Sequence, residues 1–131
     1  MFSQIRTSSR NREIVIELTR KFNLGAENII ARIALGYSLQ SGDKFSPLDV
    51  NDSGGKEYSK NVLFGNYYPI YEALICTHYQ INSNDKDLPR YFKMHLDDGL
   101  ERIYIDVQDN PNLVGYDYLF DKIQEGLKEI C

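Results

Sequence analysis

Apolar residues recur at helical spacing in successive stretches of this chain, separated by polar turns. In the first stretch Ile14, Val15, Leu18 and Phe22 fall on one stripe, with Arg10, Arg12, Glu13, Glu17, Arg20 and Lys21 largely off it. Thr7, Ser8 and Ser9 stand just before it, where a side-chain oxygen can accept from the free amides of a first turn. Asn23-Leu24-Gly25 closes that helix, glycine adopting the left-handed cap without strain. A second helix is predicted from near Ala26 to about Gln40, with Ile29, Ile30, Ile33, Ala34 and Tyr37 as its stripe. Gly36 costs it about 1 kcal/mol relative to alanine, and is read as permitting close helix packing. Gly42 is a natural stop.

Residues 41–66 are the least regular part of the chain. Pro47, the Asn51-Asp52-Ser53-Gly54-Gly55 run and Gly65 mark turns. Phe45, Leu48, Val50, Tyr58, Val62, Leu63 and Phe64 are too apolar for a disordered linker, so an ordered loop with one short strand or hairpin is expected. A third helix from about Tyr67 carries Ile70, Tyr71, Leu74, Ile75 and His78. A fourth opens at Leu88-Pro89, where proline is tolerated in the first turn, and runs towards Asp106. Its stripe is Phe92, Leu96, Leu100, Ile103, Tyr104 and Val107, interrupted by Gly99, and Asn110-Pro111-Asn112 breaks it. A last helix from Tyr116 to Ile130 shows Leu119, Phe120, Ile123 and Leu127 at helical spacing. No internal repeat or low-complexity segment appears. The pattern predicts an all-α single domain over residues 1–131, a compact bundle of about five helices with a short N-terminal or central strand.

Composition adds little to that picture, and charge adds more. The 131 residues are 42% hydrophobic and 26% charged, which suits one globular core. No apolar run approaches the roughly 18 residues of a membrane span, and MFSQIRTSSR lacks the apolar segment of a secretory signal. The expected location is cytoplasmic, with Cys76 a buried reduced thiol and Cys131 a loose terminal one. Net charge is −4, but residues 1–32 carry six basic and three acidic side chains, whereas the remainder carries nine basic and sixteen acidic. A small basic face on an acidic body fits one localised anion site. The competing reading is that arginines simply solvate the outer face of a helix. Arginines placed beside a helix start are nevertheless where a phosphate backbone could be gripped.

Candidate chemistry is sparse. His78 and His95 lie on or beside apolar helical faces and read as satisfied core or interface histidines. Neither has a ligand cluster, so no metal site or cofactor is expected. Asp97, Asp98 and Glu101 share one turn and read as a solvated acidic face rather than an acid–base pair. Gly54-Gly55-Lys56 invites comparison with a phosphate-binding loop, yet Glu57 follows the lysine and no glycine stands five positions before Gly55, which excludes an ATP site of that type. Lys56 and Lys60 can still touch phosphate as point charges. Tyr67-Tyr68 and Tyr116/Tyr118 could stack on bases, although tyrosines more often fill cores or interfaces. With no catalytic set apparent, a binding protein is expected before an enzyme.

Three blocks carry a family resemblance: IRTS…ELTRKFNLGAENIIARIALGYSLQSG, then GGKEYSKNVLFGNYYPIYEALI, then MHLDDGLERIY. In that order they resemble DndE, the small subunit of the DNA phosphorothioation (sulfur modification) system. The middle block is the most specific. The resemblance implies a compact helical homotetramer that binds double-stranded DNA, with a preference for nicked duplex, through surface lysines. It implies a non-catalytic accessory role beside a cysteine desulfurase, an ATP-pyrophosphatase-like protein and an ATPase. Lys56 matches the lysine of the family's Gly-Lys-Glu motif, so the resemblance makes it a candidate phosphate contact. Lys60 and Lys44 join it as neighbours on the same loop; Arg6, Arg10 and Arg12 are added apart from the resemblance, from the basic residues around the first helix start. Two other readings stand beside this one. A ribbon-helix-helix regulator would pair its N-terminal strand across a dimer, and a protein-only scaffold would leave the arginines merely solvated.

Overall fold

The computed structural model describes residues 2–49, 52–110 and 115–130, and within the last stretch the side chains of 117–125. Val50, Asn51, the Pro111-Asn112 break, Cys131 and the side chains of Tyr116 and Leu127 lie outside the described residues. The chain runs β1 (Gln4–Arg6), α1 (Ser9–Lys21), α2 (Glu27–Gln40), β2 (Glu57–Ser59), α3 (Lys60–Phe64), α4 (Tyr68–Tyr79), α5 (Leu88–Asp109) and α6 (Gly115–Ile130). Single 3-10 turns occupy Pro47–Asp49 and Gly65–Tyr67. The architecture is the expected mainly helical one, with α3 as an unforeseen short helix. Both anticipated strand positions are filled, and they pair with each other.

The long helix α5 is the axis of the domain. Phe92, Leu96, Leu100, Ile103 and Val107 are all buried, as their spacing predicts, and so is Gly99 among them. That glycine decides how closely α2 can approach. A Cβ at position 99 would lie 1.9 Å from the Ala34 carbonyl oxygen and 2.8 Å from its Cα. Two helix backbones therefore touch here, with no room for a methyl group. The close-packing role assigned to Gly36 belongs to Gly99 instead, since Gly36 is exposed and a Cβ there meets nothing within 4 Å.

This contact also rotates α2 relative to its expected stripe. Ile30, Ala31, Ala34, Leu35 and Ser38 are buried, whereas Ile29 is exposed. The small residues Ala31, Ala34 and Ser38 turn inward because only they fit a backbone-to-backbone crossing. On α1 the expected stripe of Ile14, Val15, Leu18 and Phe22 is buried as read. On α4 it is not: Ile75 is buried, but Ile70 and Leu74 face outward while Tyr68, Tyr71 and Tyr79 pack against the core. A helix apolar all round does not announce which side will be covered.

Strands β1 and β2 form an antiparallel ribbon in which Gln4 faces Ser59, Ile5 faces Tyr58 and Arg6 faces Glu57. Ile5 and Tyr58 point into the core and their neighbours point out, the alternation a half-buried strand requires. Backbone bonds extend the ribbon at both ends, Lys60 N–H to Ser3 O at 2.9 Å and Thr7 N–H to Lys56 O at 2.9 Å. Phe2, from the chain start, then packs beside Phe92 and Tyr68 at centroid distances of 5.7 and 5.9 Å.

The two helical glycines should respond oppositely to alanine. Gly99→Ala must push α2 from α5 and should lower stability by about 2 kcal/mol, in the range of overpacking penalties. Gly36→Ala should raise it by about 0.5–1 kcal/mol through helix propensity. Urea unfolding midpoints of the two variants check both signs.

Candidate nucleic-acid interface

The start of α1 is where an anion would be expected to dock, and the chain fills it with its own carboxylates. Ser8 is the N-cap, its Oγ accepting from Asn11 N–H. Asp52 accepts from the Ser9 N–H and Ser9 Oγ, both at 3.0 Å, and from Gly54 N–H at 3.0 Å. Asp97 of α5 accepts from the Ser8 N–H at 3.0 Å and the Asn11 Nδ2 at 2.8 Å. The amides of Gly54 and Ser9 hold the Asp52 carboxyl below its ordinary range. The helix start expected to grip a phosphate is therefore already occupied by acidic side chains of the domain.

Gly54-Gly55 has a packing purpose. A Cβ on Gly55 would sit 2.0 Å from the Ser8 carbonyl oxygen and 2.4 Å from Thr7 Oγ1. The buried Thr7 hydroxyl accepts from Lys56 N–H at 2.9 Å and donates to Ser8 O, while Gly55 N–H donates to Thr7 O at 3.0 Å. The loop resembling a phosphate cradle is pressed directly against the β1–α1 connection, and this fixes where Lys56 emerges.

Around that junction the basic candidates take distinct positions. Arg6 spans the ribbon to Glu57 at 2.8 Å, both side chains largely exposed. Lys56 Nζ lies 3.9 Å from Glu27. Lys60 opens α3 with its ammonium 4.0 Å above the Tyr68 ring and 5.4 Å from that of Phe2. Arg10 reaches Glu101 at a loose 3.7 Å, and Arg12 is exposed on α1 with no ion pair to any described residue. Exposed pairs of this kind are worth about 0–1 kcal/mol, so exchanging a carboxylate for a phosphate costs little.

Lys44 does not join them. Its neighbours are tied to α5 and α4: Asp43 to Arg102, the Asp43 carbonyl to His78 Nε2 at 2.7 Å, and the Phe45 ring to His95 at 4.9 Å. Sequence reasoning passed over Arg20, which is exposed on α1. Arg20, Thr19, Ile16 and Glu27 line an open hollow of about 480 Å³ beside the Lys56–Glu27 pair.

The acidic turn of α5 also differs from expectation. Asp97, Asp98 and Glu101 are only partly exposed, and each is engaged rather than solvated. Asp97 takes the α1 start and the buried Lys93 ammonium at 2.5 Å. Asp98 accepts from Ser38 Oγ at 2.6 Å and Arg102 Nε at 2.7 Å. The Ser38 hydroxyl has one proton, so it accepts from His95 Nδ1–H, at 2.8 Å. His95 Nε2 then accepts from the Tyr79 hydroxyl at 2.6 Å, which itself accepts from Phe45 N–H at 3.0 Å. One neutral tautomer satisfies the whole chain. Burial first, then the nearby His78, lowers the His95 pKa to about 4. Both histidines are thus satisfied by the fold, as their settings suggested. Tyr118 is buried and stacked on Phe22 at 5.4 Å, and Tyr68 packs on Phe64 at 5.2 Å, so neither is free to stack on a base. Tyr67 is exposed beside Arg32, whose Nε donates to Leu63 O at 2.6 Å.

No group of three or more potential metal-binding side chains occurs among the described residues. Residues 4–110 match the family model described as DNA sulphur modification protein DndE. The chain belongs to the DndE family. Membership connects it with DNA phosphorothioation. The fold agrees: the crystal structure of DndE from Escherichia coli B7A, involved in DNA phosphorothioation modification, superposes with a TM-score of 0.64 at 21% identity, covering 76% of this chain and 96% of that one. A glycine-to-lysine mutant of DndE, also involved in DNA phosphorothioation, gives 0.61 at 23% identity over 79% and 98%. A comparison with curated proteins finds no match. Within this DndE-family domain no described helix is long and apolar enough to cross a membrane.

The His95 chain of bonds gives a defined acid sensitivity. Unfolded, the imidazole takes a proton near its ordinary 6.5, and folded only near 4. The unfolded state therefore binds more protons between these values, and stability should fall as pH drops through that window. The imidazole proton resonances of His95 should titrate near 4 in the folded protein, and a midpoint near 6.5 would refute the assignment.

Proposed function

We propose that this protein is a non-catalytic DNA-binding subunit of the phosphorothioation system, holding duplex DNA, nicked duplex above all, for the sulfur-transfer enzymes. Those would be a cysteine desulfurase, an ATP-pyrophosphatase-like protein and an ATPase. The supporting observation is the junction of β1, the start of α1 and the Gly54-Gly55-Lys56 loop. Backbone bonds between Thr7 and Lys56 and between Gly55 and Thr7 join segments nearly fifty residues apart, so that Lys56 emerges at the end of the ribbon from which α1 departs. DNA would lie across this ribbon and the exposed Arg12 and Arg20 of α1. It would stay away from Asp49 and Asp98, which line one hollow and whose charge repels phosphate.

A net charge of −4 makes a single copy a weak binder, so affinity depends on presenting several basic faces together. Val62, Tyr67, Ile70 and Leu74 leave an exposed apolar face on α3 and α4 that suits self-association into the tetramer. The ribbon-helix-helix alternative loses its intermolecular strand, since β1 already pairs with β2 of its own chain.

Binding to intact and singly nicked duplexes of one sequence, at two salt concentrations and with the particle mass measured alongside, tests the reading. Binding should favour the nick and fall steeply with salt as counterions are released. Lys56→Ala and Arg12→Ala should each weaken it uniformly across sequences and lower the salt slope by about 1. Lys44→Ala should leave it unchanged. A folded but monomeric Ile70→Glu/Leu74→Glu variant should lose it. No binding at low salt would leave the protein-only scaffold as the better account.

A further inference from the structure

Two cations of the ribbon, Lys56 and Arg6, are met by carboxylates that the fold itself holds in place. Glu27 is the first residue of α2, whose N-cap Ala26 makes no side-chain hydrogen bond, so its charge sits where the helix dipole favours an anion. The Tyr58 hydroxyl donates to its Oε1 at 3.4 Å, and its Oε2 lies 3.9 Å from Lys56 Nζ. Tyr58 is buried in the core, and that burial, then the Glu27 charge, pushes its hydroxyl above the ordinary phenol range, so it remains a donor. Glu27 is thus anchored from two sides, while Lys56 is the more exposed partner, on a flexible stem. Glu57 stands directly opposite Arg6 in the ribbon, and its Oε1 accepts from Arg6 Nε at 3.0 Å and meets Nη2 at 2.8 Å. Strand register therefore sets that carboxylate beside the guanidinium.

Resting on the DNA-binding reading above, we propose that Glu27 and Glu57 are restraining residues of this surface, built-in competitors that hold Lys56 and Arg6 against phosphate. A phosphodiester carries one negative charge, as a carboxylate does, so it gains either cation only by displacing an equal charge. The displaced carboxylate does not leave. Helix, tyrosine and strand keep it well inside the Debye length of about 8 Å at physiological salt, where it repels the phosphate that replaced it. The domain therefore grips any one stretch of duplex weakly and can release it. The restraint is local, since each acid acts through one named cation.

The test is a double-mutant cycle on the full-length chain, read as affinity for one intact duplex by fluorescence anisotropy. Glu27→Gln and Glu57→Gln keep the shape of each side chain, and glutamine still accepts from Tyr58, so far-UV circular dichroism should be unchanged. Each should tighten binding by about two- to five-fold, the range of a released surface ion pair. The salt slope should stay as it was, because the same cations meet the same phosphates. In a Lys56→Ala background the gain from Glu27→Gln should vanish, and in Arg6→Ala so should the gain from Glu57→Gln. A gain that survives loss of the partner cation is general charge repulsion and overturns the proposal, as does unchanged or weakened binding by the glutamine variants. If Lys56→Ala and Arg6→Ala weaken binding while the glutamine variants do not tighten it, the restraint alone fails and the DNA-binding reading stands. If neither the native chain nor the Glu27→Gln/Glu57→Gln variant binds at low salt, that reading fails and the restraint with it.

Discussion

The fold turns on one backbone contact, the crossing of α2 over α5 where Gly99 meets Ala34. Interiors are packed to crystal-like density, so a crossing this close sets the side-chain volumes for several turns on either side. It explains why α2 buries alanines and a serine while Ile29 is left outside. It also brings Ser38 onto His95 and Asp98, which a wider crossing would separate. The apolar core and the buried polar chain therefore share one cause.

The second organising effect is where the acids go. Asp97 and Asp98 do not form an outer acidic skin; each satisfies part-buried donors that packing would otherwise strand, while Asp52 takes the exposed amides of Ser9 and Gly54. A buried amide left without a partner costs about 1–3 kcal/mol, which is reason enough to draw carboxylates inward. The Lys93 ammonium, nearly buried, is matched by Asp97. Near them Arg6, Arg10 and Lys56 meet carboxylates in solvent at 2.8, 3.7 and 3.9 Å. An acidic protein can thereby offer a basic face.

The basic side chains of this junction are paired only at the surface. Arg6, Arg10 and Lys56 each hold a carboxylate in solvent, and the α1 start is closed to ligands by Asp52 and Asp97. Recognition of a nucleic-acid backbone here would rest on side-chain cations over a rigid ribbon, with no helix-dipole or glycine-cradle contribution. Such contacts position a duplex without reading its sequence, as befits a subunit of a modification system acting on DNA.

Much of this was legible from the chain alone. The stripes of α1 and α5, the serine cap, the absence of a nucleotide loop and the DndE blocks are local properties, fixed by spacing and residue type. What pairing and packing decided was not. The α2 stripe shifted because Gly99 admits a backbone, and α4 exposed Ile70 and Leu74 because that helix is apolar on every side. Gly54-Gly55-Lys56 looked like chemistry and proved to be clearance for the Ser8 carbonyl. Lys44 and Lys56 looked like neighbours on one loop, yet Arg102 and His78 hold Asp43 beside one while Thr7 anchors the other. Sequence determined which segments are helical and which family the chain joins, because periodicity and motif are written along it. Only the tertiary structure decided which side each helix covers and which charges remain outside, because both depend on contacts between segments far apart in the chain.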